Sequence, residues 1–213
     1  MDALASPAHL RRLLRTRLTR LDAPDDAAAP FASDPGASPL ASARRPAAVL
    51  ICLRERPEGP SVILTRRAEG LREHTGQVAL PGGRVEPGEA PAMTAVREAE
   101  EEVGLPRTAV ELIGLATPYR TITAYHVTPV VGLAPADLPL HPNPGEVAEI
   151  FEAPFQVLMD LDRWERREAV GPSGETRRYY AMEFEGRLIW GATAGMLRAL
   201  SQRLFGGPAE ETP

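Results

Sequence analysis

Gly82-Gly83-Arg84-Val85-Glu86-Pro87-Gly88-Glu89, then Ala90-Pro91-Ala92-Met93-Thr94-Ala95-Val96, then Arg97-Glu98-Ala99-Glu100-Glu101-Glu102-Val103-Gly104-Leu105, run without interruption near the middle of the chain. The two ends of this stretch differ in kind. The first part is rich in glycine and proline, a loop that lets backbone carbonyls approach a ligand closely. Pro91 suits a first helical turn and Gly104 a left-handed stop, so the spacing predicts a helix of three to four turns between them. On a helical wheel Ala92, Val96, Ala99 and Val103 share one face, and Glu98, Glu101 and Glu102 cluster on the opposite one. Like charges at such spacings destabilise a helix by roughly 0.2–0.5 kcal/mol per pair, a penalty that a divalent cation would offset. Carboxylates, a backbone carbonyl and water are the oxygen ligands that Mg²⁺ or Mn²⁺ prefers. For the glutamates alone an ordinary solvated helix face remains the simpler reading.

Outward from this stretch the pattern is that of a layered domain. Ala47-Ala48-Val49-Leu50-Ile51-Cys52-Leu53 and Ser61-Val62-Ile63-Leu64-Thr65 precede it as strands, with a turn at Glu58-Gly59-Pro60. Strands are predicted after it at 110–116, 125–132 and 147–151, and a short helix at 154–160. Segments 168–170 and 176–184 flank Gly171-Pro172-Ser173-Gly174 and read as a hairpin. A closing helix over 193–204 repeats Met196, Leu197, Leu200 and Leu204 on one face. This order predicts an α/β fold, an α/β/α sandwich with a mixed β-sheet. At the N-terminus, Ser6-Pro7 followed by Leu10, Leu13, Leu14, Leu18 and Leu21 predicts an amphipathic helix within 1–21, its leucines packed on the main domain and its arginines solvated. Residues 22–46, dominated by Ala, Pro, Asp and Ser, read as a flexible linker, 47–205 as the main domain and 206–213 as a disordered tail.

Composition narrows the function classes. A net charge of −5 over 213 residues argues against a general nucleic-acid binder. The single cysteine, Cys52, allows no intrachain disulfide, and no apolar run approaches the roughly 20 residues of a membrane helix. A cytoplasmic enzyme with no membrane partner, monomeric or homodimeric, is the resulting expectation.

Gly83, five residues, Glu89, seven residues, Arg97-Glu98, an apolar residue, any residue, Glu101-Glu102, any residue, Gly104 and an apolar residue match the whole signature of the Nudix hydrolases. The resemblance implies metal-assisted hydrolysis of a nucleoside diphosphate linked to another group. Carried over by position, Glu98, Glu101 and Glu102 are implied metal ligands, together with the carbonyl of Gly83. Glu98, Glu101 and Arg97 are the implied catalytic set, with Glu98 as general base, Arg97 orienting the glutamates and Glu89 bracing the loop.

Upstream, Ile63-Leu64-Thr65-Arg66-Arg67-Ala68, three residues, Arg72, three residues, Gly76, three residues and Leu80-Pro81-Gly82-Gly83 resemble the motif that precedes the signature in coenzyme A diphosphatases. Ile63 stands there for a usual Leu and Leu80 for a usual Phe. The likeness continues through Val127-Thr128-Pro129-Val130-Val131-Gly132 and Trp190-Gly191-Ala192-Thr193-Ala194-Gly195, covering the chain from about Ala47 to Leu204. It implies coenzyme A as substrate, cut to adenosine 3′,5′-bisphosphate and 4′-phosphopantetheine, acyl forms included. The 3′-phosphate of that substrate calls for extra cationic donors. Arg67, Arg72 and His74 are the candidates, and Arg66 reads as a surface charge. Trp190 reads as core packing rather than a stacking surface, and Glu146 and Glu149 as solvated strand ends. Alternatives are a hydrolase of ADP-ribose or NADH on the same metal site, and a non-catalytic nucleotide-binding regulator on the same fold.

Overall fold

The computed structural model describes residues 6–23, 31–34, 45–69, 76–170 and 174–206. Helix α1 spans Pro7–Arg17, and strands β1 (Ala32–Ser33), β2 (Arg45–Glu55), β3 (Ser61–Arg67), β4 (Val78–Ala79) and β5 (Gly82–Arg84) lead to helix α2, Pro91–Val103. Strands β6 (Glu111–Leu115), β7 (Tyr119–Arg120), β8 (Tyr125–Pro135) and β9 (Val147–Pro154) follow, then the short helix α3, Phe155–Met159. Strands β10 (Glu165–Val170), β11 (Thr176–Phe184) and β12 (Arg187–Trp190) precede the closing helix α4, Gly191–Phe205.

The main sheet runs β1-β7-β8-β2-β3-β4, with β5 also on β2, β6 on β8 and β9 on β3. Its spine is the parallel pair β2 and β8, in register from Arg45 opposite Tyr125 to Glu55 opposite Pro135. The uninterrupted apolar run of β2 reflects burial on both faces. Ala48, Leu50 and Cys52 point to α2, where Ala95, Val96, Ala99 and Val103 cover them. Ala47, Ile51 and Leu53 point to the other side, against a core that includes Leu10 and Leu14 of α1, Phe155 and Leu158 of α3 and Leu197 and Leu200 of α4. The expected α/β/α sandwich with a mixed sheet is therefore what the chain forms. Strands β10, β11 and β12 make a separate antiparallel sheet beside it. No described helix is long and apolar enough to cross a membrane.

Four details differ from the sequence reading. Helix α1 ends at Arg17 rather than near Leu21, because Thr19 exchanges backbone hydrogen bonds with Leu115, at 2.9 and 2.8 Å, which pull the chain into the sheet. Its basic face is paired as well as solvated: Arg11 bridges Glu55 and Glu111, and Arg15 also meets Glu111. The stretch 22–46 contributes to the sheet at both Ala32–Ser33 and Arg45–Pro46. There Asp34 accepts hydrogen bonds from the Tyr119 hydroxyl (2.9 Å) and the Ile122 amide (3.0 Å), side-chain anchors that composition does not reveal. Finally, β12 has no counterpart in the predicted elements. Its signal is the two-residue turn Glu185-Gly186, with φ of 49° and 75°, the left-handed pair that closes a tight hairpin. Within the predicted 168–184 hairpin, β10 and β11 pair from Glu165 opposite Ala181 to Val170 opposite Thr176, while Gly171, Pro172 and Ser173 lie outside the described residues.

Candidate active site

Two close approaches join the glycine loop to the helix. A Cβ on Gly82 would lie 2.6 Å from the Val49 Cα, and one on Gly83 would lie 2.7 Å from Glu98 Oε2. Any side chain at either position would separate β5 from β2 or push Glu98 off its place. Pro91 opens α2 without a side-chain cap, and Glu89 organises the turn instead: its carboxylate accepts from the Thr94 hydroxyl at 2.7 Å and the Glu86 amide at 3.3 Å. Gly104, at φ 68°, ends the helix in the left-handed conformation.

Arg97 is the hub of the polar network. Its guanidinium grips both oxygens of Glu89 at 3.0 Å, donates to Glu98 Oε1 at 2.9 Å and Glu101 Oε2 at 3.2 Å, and reaches the Arg84 carbonyl at 3.3 Å. Hydrogen bonds from Arg97 and then from Thr94 hold the Glu89 carboxyl down to about 2. Glu98 titrates above the ordinary carboxylate range because burial outweighs its contact with Arg97. Burial likewise pushes Glu102 up to about 7, against the opposing pull of the Gly82 amide, which donates to Oε2 at 3.2 Å, and of the Arg67 charge. Charges on Glu98 and Glu146 add to that rise.

The helical wheel had grouped the glutamates opposite the apolar face, and the structure corrects this for Glu102. It borders the buried face and is only 4% exposed, whereas the Glu101 side chain is half exposed. Glu102 follows buried Ala99 by three residues, only about 60° round the helix, and Gly82 of β5 lies against it with its amide on Oε2.

The donor set fits a hard divalent cation. Two desolvated carboxylates that repel one another, a third at the rim and a glycine whose missing side chain leaves Glu98 against the loop are oxygen-donor chemistry with excess negative charge. Among the described residues, no three acidic, His or Cys side chains are already gathered into one metal-holding group. Arg97 draws Glu98 and Glu101 to itself while Glu102 faces the Gly82 amide.

Of the other candidates, Arg67 at the end of β3 lies within electrostatic reach of Glu102, and its Nε is buried with no hydrogen-bond partner among the described residues. Arg72 and His74 lie outside the described residues. Arg66 pairs with Glu149 at 3.1 Å rather than standing as a lone surface charge. Glu149 is accordingly a paired residue, and Glu146 acts electrostatically on Glu98 and Glu102. Trp190 is 36% exposed and does not belong to the core, because it leads from β12 into α4 at the surface. Thr94, fully buried and bonded to Glu89, is a site residue that sequence reasoning missed. Its position one turn into α2, five residues after Glu89, was the available signal.

The NUDIX domain family matches residues 43–172. The uncharacterized Nudix hydrolase NudL of Yersinia pestis (strain Pestoides F) is 43% identical over 166 residues, which is 78% of this chain and 82% of that protein. NudL of Yersinia pseudotuberculosis serotype O:1b (strain IP 31758) matches to the same extent. Among solved structures, the Nudix hydrolase RenU of M. smegmatis superposes with a TM-score of 0.47 at 30% identity, over 55% of this chain and 74% of that one.

Proposed function

This chain belongs to the Nudix hydrolase family, and from that footing we propose that it hydrolyses the diphosphate of coenzyme A to adenosine 3′,5′-bisphosphate and 4′-phosphopantetheine. The observation that carries the choice of substrate is Arg67. It fills the fixed arginine position of the upstream motif, its charge acts on Glu102, and its buried Nε has no partner among the described residues. A buried donor of this kind is stabilised by an anionic acceptor, which a phosphate of the substrate supplies.

Glu98, Glu101, Glu102 and the Gly83 carbonyl are the groups that would hold Mg²⁺ or Mn²⁺. Such an ion, when bound, neutralises charge on the diphosphate and makes phosphorus more electrophilic. The residues supply the rest. Glu98, kept basic by burial and oriented by Arg97, accepts the proton of the attacking water. The water oxygen bonds to one phosphorus as its bond to the bridging oxygen breaks, and the leaving phosphate departs with that electron pair. Arg97 is a positioning residue: its forked contacts hold Glu98 at a fixed distance from Glu89 and the loop.

Product analysis on coenzyme A, dephospho-coenzyme A, ADP-ribose and NADH with Mg²⁺ or Mn²⁺, with Glu102→Gln alongside, tests the reading. Coenzyme A is expected to exceed dephospho-coenzyme A by about tenfold or more in kcat/KM, the worth of a charged hydrogen bond. Equal turnover of dephospho-coenzyme A and ADP-ribose overturns the choice of substrate. Absence of turnover by the wild type on the whole panel overturns the hydrolase reading itself.

A further inference from the structure

Two guanidinium groups converge on one phenol at the end of the main sheet. Arg84 of β5 donates to the Tyr125 hydroxyl, at the start of β8, from Nε at 3.1 Å and from Nη2 at 3.0 Å. Arg45, which opens β2, also hydrogen-bonds that hydroxyl, and both guanidinium carbons lie 5.8 Å from the centre of the Tyr125 ring. Burial raises the Tyr125 phenol, yet the hydrogen bonds and charges of Arg84 and Arg45 outweigh it and bring the group below its ordinary value. The hydroxyl therefore stands in a positive field.

No carboxylate among the described residues neutralises that field, since neither Arg45 nor Arg84 has an acidic partner there. The contrast is with the cavity of about 640 Å³ walled in part by Arg66, Glu149, Arg187 and Trp190, whose guanidinium groups are matched by Glu149 and Glu185. Two like charges held close together repel, and a shared counter-ion recovers that cost. Both arginines are exposed and Tyr125 is half-buried, so a solute reaches the pair from solvent. Planar donor forks beside a hydroxyl suit an oxyanion with several acceptor oxygens, and a phosphate dianion matches the pair in charge as well.

Side-chain direction separates this cluster from the glutamates. Gly83 stands opposite Ala48, which faces α2, whereas Arg84 stands opposite Ala47, which faces the side of α1 and α4. Arg45 lies two residues before Ala47 on β2, and Tyr125, its partner in the β2–β8 register, packs against the same core as Ala47. The cluster thus lies behind the metal loop. Main chain joins the two, because the Arg84 carbonyl accepts from Arg97 at 3.3 Å.

We propose that Arg45, Arg84 and Tyr125 form a site for a phosphate group, free or as a monoester, on the sheet face opposite the catalytic glutamates. The assignment holds whichever diphosphate the enzyme cleaves.

Calorimetric titration of the full chain with inorganic phosphate, in metal-free buffer at constant ionic strength, reads the site directly. Arg45→Gln and Arg84→Gln are each expected to weaken phosphate about tenfold or more, the worth of a charged hydrogen bond, while Arg67→Gln, beside Glu102, changes it less than about twofold. The two substituted side chains are exposed, so circular dichroism is expected to stay native. No binding by the wild type, an unchanged affinity in both Arg45→Gln and Arg84→Gln, or an equal loss in Arg67→Gln overturns the assignment. Titration with 4′-phosphopantetheine separates the two sources once phosphate binding is established. Binding that weakens in the same two variants makes a monoester an occupant of the site, and absence of binding leaves free phosphate as the ligand.

Discussion

Two networks of arginine and glutamate flank the end of β3, and they are balanced differently. Around α2 a single arginine, Arg97, serves Glu89, Glu98 and Glu101, while Glu102 lies buried beside them. At the cavity Arg66 and Arg187 share Glu149, and Glu185 completes a neutral set. The residue types are the same, and the ratio differs. Surplus carboxylate in a desolvated place is stabilised by a cation, whereas a matched set is already satisfied by its own members. The charge ratio of a network therefore shows whether it calls for a further ion.

Substitutions on the acidic side should break this contrast most strongly. Glu98→Gln keeps the shape and removes the proton acceptor, and kcat on coenzyme A is expected to fall on the order of 10²–10⁴-fold. Gly83→Ala places a methyl against the Glu98 carboxyl group, and a displacement of that carboxylate is expected to lower kcat about 10²-fold while circular dichroism stays native. A fully active Gly83→Ala enzyme would show that the loop does not fix Glu98. Arg97→Ala leaves the carboxylates in the chain but removes the cation that orients Glu98 and Glu101, so titration with Mn²⁺ should report an affinity about 10–100-fold weaker. An unaltered Mn²⁺ affinity would separate Arg97 from the metal site.

Smaller effects sharpen the comparison through pH and reactivity. The Glu89 carboxyl is held down to about 2 from an ordinary 4.5, so its ionised form is favoured in the folded state. That contribution to stability is complete above about 4.5 and is lost as pH falls toward about 2. Chemical denaturation of Glu89→Gln should thus show a shallower acid limb than the wild type over that window and a lower stability at neutral pH. Cys52, on the face covered by α2, has its thiol pushed up to about 12 by burial. Native protein is expected to resist iodoacetamide at pH 8 and to react only when unfolded. Labelling of the native chain at the unfolded rate would mean that α2 detaches readily from the sheet.

Much of the fold could be read from residue order alone, and the elements show why. The stretch from Pro91 to Gly104 carries its own start, stop and apolar face, so α2 was predicted with the ends that it has. Strand β2 was recognised from an apolar run that burial on both faces requires. Strand β12 was missed because its four residues are too short to show alternation, and the turn that creates it uses Glu185 in a left-handed conformation that a glutamate does not advertise. Pairing of Ala32–Ser33 with Tyr119–Arg120 was likewise hidden, since a two-residue strand is held by partners distant in the chain.

By itself the sequence determined the family signature, the layered fold and the helix α2 that carries the carboxylates, because start, stop and apolar spacing of a helix are local. Tertiary structure alone decided how those carboxylates differ, burying Glu102, tying Glu98 and Glu101 to Arg97 and bringing Glu146 and Arg67 within electrostatic reach. It also decided that Trp190 faces a cavity rather than the core. The physical reason is desolvation: charge and aromatic surface acquire their chemistry from what covers them, and that covering comes from strands far apart in the chain.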